Sequence, residues 1–339
     1  MPKIDARRIC LVRLSSIGDA VHALALANGL RRGYPDAEIT WVLERVPHDV
    51  VRHQQAIDRF IVFDARAGIG AWSTLVRELS REPFDLVIIP QVSSKAALVA
   101  MATRGRVKLG FDRGRSREIH ALAINQRIDP GPLAHAQDLF LEFLDWLDLS
   151  GEPEWNLRFT AEEEERSSDF FSRIGMPVLS LVVASAHHEK DWLLERYIHL
   201  VDAAAERFDL QPVLVGGPSR REREIAETIL AGSRSKPILA LDNPIRDTLW
   251  KLRGSAVVVS PDTGPLHAAV AMNRPTIGLY GHTDPLRTGP YRKFRDLVVD
   301  KFRLAGEEDE PITRRTKRGR MSLITVDDVL AKIERALNR

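Results

Sequence analysis

Short apolar runs without clean alternation recur through the first half of the chain: ICLVRL (9–14), ITWVL (39–43), FIVF (60–63) and DLVIIP (85–90). Strands covered on both faces read this way, because helices packed on either side of a parallel sheet bury both sets of side chains. Helix-like patterns fill 20–32, 70–81 and 93–103, and a longer amphipathic helix is predicted over 133–149. Such strand–helix alternation predicts an α/β wound fold. Around 150–158, Gly151, Pro153 and polar neighbours make poor helix and poor strand, and the alternation then starts afresh. New strands are predicted at LSLVVA (179–184), PVLVG (212–216), ILAL (238–241), AVVVS (256–260) and PTIGLY (275–280), with helices over 192–207, 219–231 and 263–272. The pattern predicts two Rossmann-like domains facing across a cleft, residues 1–155 and 156–324. A last helix, over 325–338 with Thr325 as its N-cap, is expected to pack the segment 325–339 back on the N-terminal domain.

Composition agrees with two domains: 339 residues exceed the roughly 250–300 at which a single core stops growing. The 49 Lys and Arg nearly balance 47 Asp and Glu, and the six Trp and four Tyr are not interleaved with basic runs, which excludes a dedicated nucleic-acid binder. The N-terminal stretch is broken by Arg13 and Asp19 and is no signal peptide, and no run reaches the roughly 18 apolar residues of a membrane span. A cytoplasmic protein is expected, with peripheral contact to a membrane surface left open. Cys10, the single cysteine, is expected to be buried as a small hydrophobe. The runs EEDEP (307–311) and TRRTKRGR (313–320) read as a solvated, mobile loop.

Ligands of wound α/β folds bind at the carboxyl ends of strands, so the candidate chemistry lies in the loops that follow them. The first loop, Ser15-Ser16-Ile17-Gly18-Asp19, lacks the G-x-G-x-x-G spacing, which counts against a nicotinamide dehydrogenase. Asp19 fits two roles, a charge favoured by a helix N-terminus or a general base. In Ser260-Pro261-Asp262-Thr263-Gly264-Pro265-Leu266-His267, Asp262 is expected to cap a helix. The Thr263 and Gly264 amides with the Thr263 hydroxyl would form an anion site, and His267 is either a structural hydrogen-bonder or a substrate contact. After another strand, Ser185 offers a hydroxyl and Lys190 a point charge for a diphosphate. The adjacent His187 and His188 do not share a helix face and have no evident third metal ligand. The Gly216-Gly217-Pro218-Ser219 turn, followed by Glu222 and Glu224, suits a nucleotide whose ribose hydroxyls donate to a carboxylate. Gln91, Ser93, Ser94 and Lys95 follow a fourth strand. The basic stretch Arg104, Arg106, Lys108, Arg113, Arg115 and Arg117 fits an anionic acceptor, phospholipid headgroups or a plain solvated face.

Together these segments resemble the ADP-heptose:lipopolysaccharide heptosyltransferases, glycosyltransferase family 9, over nearly the whole chain. The specific marks are VRLSSIGDAVHALALANGLRRGYPDAEITWVLE (12–44) and VVSPDTGPLHAAVAMNRPTIGLYGHTDP (258–285). FDLVIIPQVSSKAALVA (84–100), KLGFDRGRSRE (108–118) and VLVGGPSRREREIAE (213–227) support them. The resemblance implies a GT-B fold with an N-terminal acceptor-binding and a C-terminal nucleotide-sugar-binding domain. It further implies an inverting, metal-independent transfer of heptose from ADP-heptose to the Kdo/heptose inner core of lipopolysaccharide, with no cofactor. Carried over by position, Asp19 would be the base. Ser185, Lys190, Glu222, Asp262, Thr263, Gly264 and His267 would bind the donor, and Ser15, Ser16, Lys95, Arg115 and Arg117 the acceptor. The chain departs from many relatives at Lys190-Asp191-Trp192-Leu193, where they carry Lys-Arg-Trp-Pro, and at Pro90, where they carry aspartate. The alternatives are a family 9 transferase with another nucleotide sugar, such as an N-acetylglucosamine donor, and a non-catalytic nucleotide-sugar-binding protein.

Overall fold

The Val, Ile and Leu runs of the first half form strands because each is covered on both faces. The computed structural model describes residues 3–241 and 244–339, and the chain divides into two units, residues 1–158 and 159–339.

In the first unit the elements are β1 (Arg8–Val12), α1 (Ile17–Gly33), β2 (Glu38–Leu43), α2 (Arg45–Val51), β3 (Arg59–Val62), α3 (Ile69–Ser80), β4 (Phe84–Ile88), α4 (Ser94–Ala102), β5 (Gly105–Gly110), α5 (Glu118–Ala123), β6 (Gln126–Arg127) and α6 (Ala136–Trp146). The strands pair in parallel in the order β3-β2-β1-β4-β5-β6. Leu75, Leu79, Ala96, Ala97, Val99, Ala100 and Ala123 bring α3, α4 and α5 onto one face of the sheet, over Cys10, Val12, Val87 and Ile89. Burial pushes the Cys10 thiol up to about 12, so it stays a neutral core side chain. Helix α1 is apolar almost all round, and α6 packs on it so closely that a Cβ at Gly29 would lie 2.3 Å from the Leu144 side chain. The segment expected to divide the domains is bound to this unit: Asn28 Nδ2 donates to the Glu154 and Trp155 carbonyls, and Trp155 Nε1 to Gln137.

The second unit contains α7 (Ala161–Ile174), β7 (Val178–Val182), α8 (Leu194–Phe208), β8 (Gln211–Val215), α9 (Arg220–Gly232), β9 (Ile238–Ala240), α10 (Ile245–Gly254), β10 (Val257–Pro261), α11 (Gly264–Ala271), β11 (Thr276–Tyr280), α12 (Pro285–Thr288), β12 (Val299–Asp300) and α13 (Val326–Leu337). Its sheet is again parallel, ordered β12-β11-β10-β7-β8-β9. Relative to its own first strand this is the order of the first unit, so each sheet has one place where the strand order reverses, between β1 and β4 and between β7 and β10.

One expectation is corrected. The apolar face of α13 (Val329, Leu330, Ile333, Ala336) is taken up by the core of the second unit, with Leu200, Val201 and Ile324, not by the N-terminal half. The acidic and basic runs of 307–320 are mostly exposed, as expected of solvated charge, and are also tied together by ion pairs. Glu307 accepts from Arg320 and Lys317, Glu310 also pairs with Lys317, and the Arg320 guanidinium donates to the Phe302 carbonyl at 2.6 Å. Opposite charges placed a few residues apart neutralise one another and tie the segment to itself. Helices α7 and α10 escaped the sequence reading; buried Arg246 of α10 is held by Glu163 of α7, 2.9 Å between Nε and Oε1. Among the described residues no helix is long and apolar enough to cross a membrane.

Candidate active site

Ligands of open α/β sheets sit where the strand order reverses, between the loops that leave the two diverging strands. Both reversals in this chain are stitched across by side chains.

In the first unit the loop after β1 meets the loop after β4. Gln91 Oε1 accepts from the Leu14 amide at 2.7 Å, and an Arg13 guanidinium nitrogen donates to the Pro90 carbonyl at 2.6 Å. The same guanidinium stands over the Phe140 ring and pairs with Asp19. Asp19 occupies the third position of α1, where the positive end of the helix favours a carboxylate. Its Oδ2 accepts from the Ser16 amide at 3.1 Å and the Ser16 hydroxyl at 3.0 Å, closing the turn as a capping residue does. Burial pushes the Asp19 carboxyl up, but Arg13, the Ser16 bonds and His22 outweigh it and hold it below the ordinary carboxylate range. One turn on, buried His22 shares a 2.9 Å bond with Gln137 Oε1, and Gln137 Nε2 returns a bond to the His22 carbonyl. The Ser15–Ser16 peptide is cis.

In the second unit the loop after β7 meets the loop after β10. Lys190 Nζ lies 2.8 Å from Asp262 Oδ2 and 3.3 Å from the Asp262 carbonyl, so the pair spans the reversal. Thr283, from the turn after β11, donates to the same carboxylate oxygen at 2.8 Å, and His267 Nε2 stands 3.6 Å from the other. Burial works against this charge, yet His267 and Lys190 hold the Asp262 carboxyl well below the usual range. Asp262 is therefore not the helix cap expected of it. Thr263 caps α11, its hydroxyl facing the Leu266 amide at 3.5 Å and Ser260 Oγ at 2.9 Å. The anion site foreseen at this terminus is correspondingly smaller, because the Thr263 hydroxyl is engaged and Pro265 has no amide proton. What remains is a fixed cluster, Lys190, His267 and Thr283 around one buried carboxylate, beside the Gly264 end of α11.

Neighbouring loops are equally tied. Ser185 donates its hydroxyl to the His187 carbonyl at 2.6 Å and its amide to Asp191 at 2.7 Å. Asp191 also pairs with Arg221, which donates to the Ser185 carbonyl at 2.9 Å, so the departure from Lys-Arg at this point locks the loop. Glu222 accepts from the Gly217 amide at 2.8 Å and from the Ser219 hydroxyl, shaping the glycine turn. After β11, Asp284 is wholly buried against Arg303 and accepts from the Thr313 amide at 2.9 Å. Gly281 in the same turn lies so close to the 320–321 backbone that a Cβ there would stand 2.5 Å from it.

The proposed acceptor residues are dispersed. Ser15 is half-buried and Ser16 exposed beside Asp19. Lys95 pairs with Glu44. Arg115 is nearly buried, paired with Asp112 and Glu142 and donating to the Asp129 carbonyl. Arg117 is exposed at the start of α5. The sequence reading gave Gln91 and Asp191 no structural role and did not single out Arg13, Arg221, Thr283 and Arg303 as site residues. Thr283 and Arg13 both lay inside segments already singled out, but Arg13 drew notice only as a break in an apolar stretch. Among the described residues no group of three or more His, Cys, Asp or Glu is arranged to hold a metal ion.

Residues 72–308 match the family model Glycosyltransferase family 9 (heptosyltransferase). The chain belongs to this family. It is accordingly a glycosyltransferase. The lipopolysaccharide core heptosyltransferase OpsX of Haemophilus influenzae is 29% identical over 294 residues, 86% of this chain and 84% of that protein. The lipopolysaccharide heptosyltransferase 1 of Escherichia coli K12 is 28% identical over 306 residues, 84% of this chain and 91% of its own. Among solved structures, a family 9 glycosyltransferase from Veillonella parvula superposes with a TM-score of 0.83 at 21% identity, over 99% of this chain and 98% of that one. The E. coli heptosyltransferase WaaC with ADP gives 0.76 at 24%, over 97% and 99%. These two share the fold, two parallel-sheet α/β domains.

Proposed function

We propose that the protein transfers heptose from ADP-heptose to the Kdo/heptose inner core of lipopolysaccharide, with inversion, without a metal, and with Asp19 as general base. The observation that carries the reading is the placement of Asp19. Its fixing contacts from Arg13 and Ser16 all fall on Oδ2, which leaves Oδ1 to meet an acceptor hydroxyl. The acceptor oxygen bonds to the anomeric carbon as the bond to the ADP oxygen breaks with its electron pair, and the hydroxyl proton passes to Asp19. A sugar hydroxyl is a weak acid and a carboxylate held this low a weak base. Proton transfer then comes late, once the forming bond has acidified the hydroxyl.

The departing diphosphate needs positive charge, which Lys190 and the N-terminus of α11 supply. Lys190 rests on Asp262, so the donor phosphates take a share of an ammonium already positioned for them. The glycine turn and Glu222 of α9 follow β8, the strand next to β7, where a ribose would follow the diphosphate. The protein would work in the cytoplasm, in peripheral contact with the membrane that carries its acceptor.

Mass spectrometry of heptose-deficient Kdo-lipid A after incubation with the protein and ADP-heptose tests this. One added heptose is expected with the wild type and none with Asp19→Asn, while ADP binding is retained. A gain of mass with UDP-N-acetylglucosamine in place of ADP-heptose would move the donor assignment. Loss of ADP binding in Asp19→Asn would make that residue structural.

A further inference from the structure

The helix layer over one face of the first sheet carries six large apolar side chains left in solvent: Ile69, Val76, Leu98, Met101, Ile119 and Leu122. Fifteen such side chains are exposed among the described residues, so they are concentrated here. Helices α4 and α5 both follow strands of the same parallel sheet, run the same way and pack against each other, with Ala96, Ala100 and Ala123 buried in the shared core beneath them. Their outer faces repeat the motif. Leu98 and Met101 on α4 are 48% and 51% exposed, and Ile119 and Leu122 on α5 are 43% and 78% exposed, each pair three residues apart and so on one side of its helix. Folding gives these four nothing to cover, and a contiguous apolar surface of this kind marks a contact site.

The charges around them choose the partner. From Ser94 to Arg117 the chain holds seven Lys and Arg against one acidic residue, Asp112, and that one is paired with Arg115. Lys95 is neutralised by Glu44. Arg104 and Arg106 remain exposed beyond the end of α4, and Arg113 and Arg117 before the start of α5, so basic groups flank the apolar centre at both ends. An apolar face with cations at its margins suits an anionic phospholipid surface: the aliphatic side chains enter the acyl boundary and the guanidinium groups meet phosphates. Each basic residue near such a surface adds about a fivefold gain in partitioning.

We propose that the outer face of α4 and α5 docks this protein on an anionic phospholipid bilayer. As a means of reaching the acceptor, this rests on the lipid-borne substrate proposed above. The first loop and the start of both helices lie at the carboxyl edge of one sheet, so a membrane under this face lies alongside the edge that carries Asp19.

Co-sedimentation of the whole protein with phosphatidylcholine vesicles, with and without phosphatidylglycerol, reads the docking directly. Binding is expected to require the anionic lipid and to weaken as salt is raised, because exposed charges are screened beyond roughly 10 Å at 0.1 M. The double variant Leu98→Glu/Leu122→Glu should bind at least about tenfold more weakly while its thermal melting is unchanged, since both side chains are exposed. Its transfer to a deacylated, water-soluble acceptor should equal that of the wild type, and its transfer to an acceptor embedded in vesicles should fall. Equal vesicle binding by variant and wild type overturns the proposal. So does binding only to native membranes and not to protein-free vesicles, which would make the partner a protein. Vesicle binding without transfer to either acceptor would overturn the heptosyltransferase reading and leave the docking face standing.

Discussion

Arg13 does three things with one guanidinium: it ties β1 to β4 through the Pro90 carbonyl, packs over Phe140 and pairs with Asp19. Of these, the last sets the proton affinity of the proposed base. With Arg13 present, Asp19 is ionised across the physiological range and the acid limb of kcat/KM should lie below the ordinary carboxylate range. In Arg13→Gln the largest of the contributions that offset the burial of Asp19 is gone, so the limb should move to higher pH. Arg13→Lys should restore most of the shift. A pH–rate profile unchanged in Arg13→Gln would show that the limb belongs to another group. The same side chain explains a limit of sequence reading. Asp19, Lys190, Asp262 and His267 were legible because they sit in the loops and first helical turns that follow strands. Arg13 was not, because its meaning depends on Pro90 and Asp19 arriving beside it from other parts of the chain.

Elements were legible wherever the pattern was local. The buried strands and the helix starts after Ser93, Thr263 and Thr325 follow from apolar runs and capping residues. Helix α10 did not read as one, because Arg246, Asp247, Thr248 and Lys251 look like a solvated turn until α7 supplies Glu163 and Phe170 to meet them. The strand β5 was hidden by its basic residues, which suit a sheet position of mixed exposure. The destination of α13 was misjudged for a related reason: an amphipathic helix announces that it has an apolar face, not where that face goes. Its Ile333 is fully buried in the second core, so Ile333→Ala should cost about 2–5 kcal/mol of stability, read from denaturant unfolding. A cost near zero would detach α13 from that core.

At the scale of the whole molecule, two sheets with the same strand order each have a core of their own. Chains built this way depart from two-state unfolding, so calorimetry should resolve two transitions. ADP should raise only the one that Ile333→Ala lowers, by the equivalent of about 2.7 kcal/mol at a hundred times its dissociation constant. A single transition, or both moved together by ADP, would contradict that independence. The turn after β11 carries a further consequence. Thr283 reaches inward to Asp262 while Asp284 reaches outward to Arg303 and Thr313, and Gly281 leaves no room between the turn and residues 320–321. The charged run of 301–320 lies on the surface, where insertions and deletions ordinarily accumulate in evolution without harm. Here the segment braces the turn that holds Asp262, so a change in its length would disturb the seat of Lys190 as well.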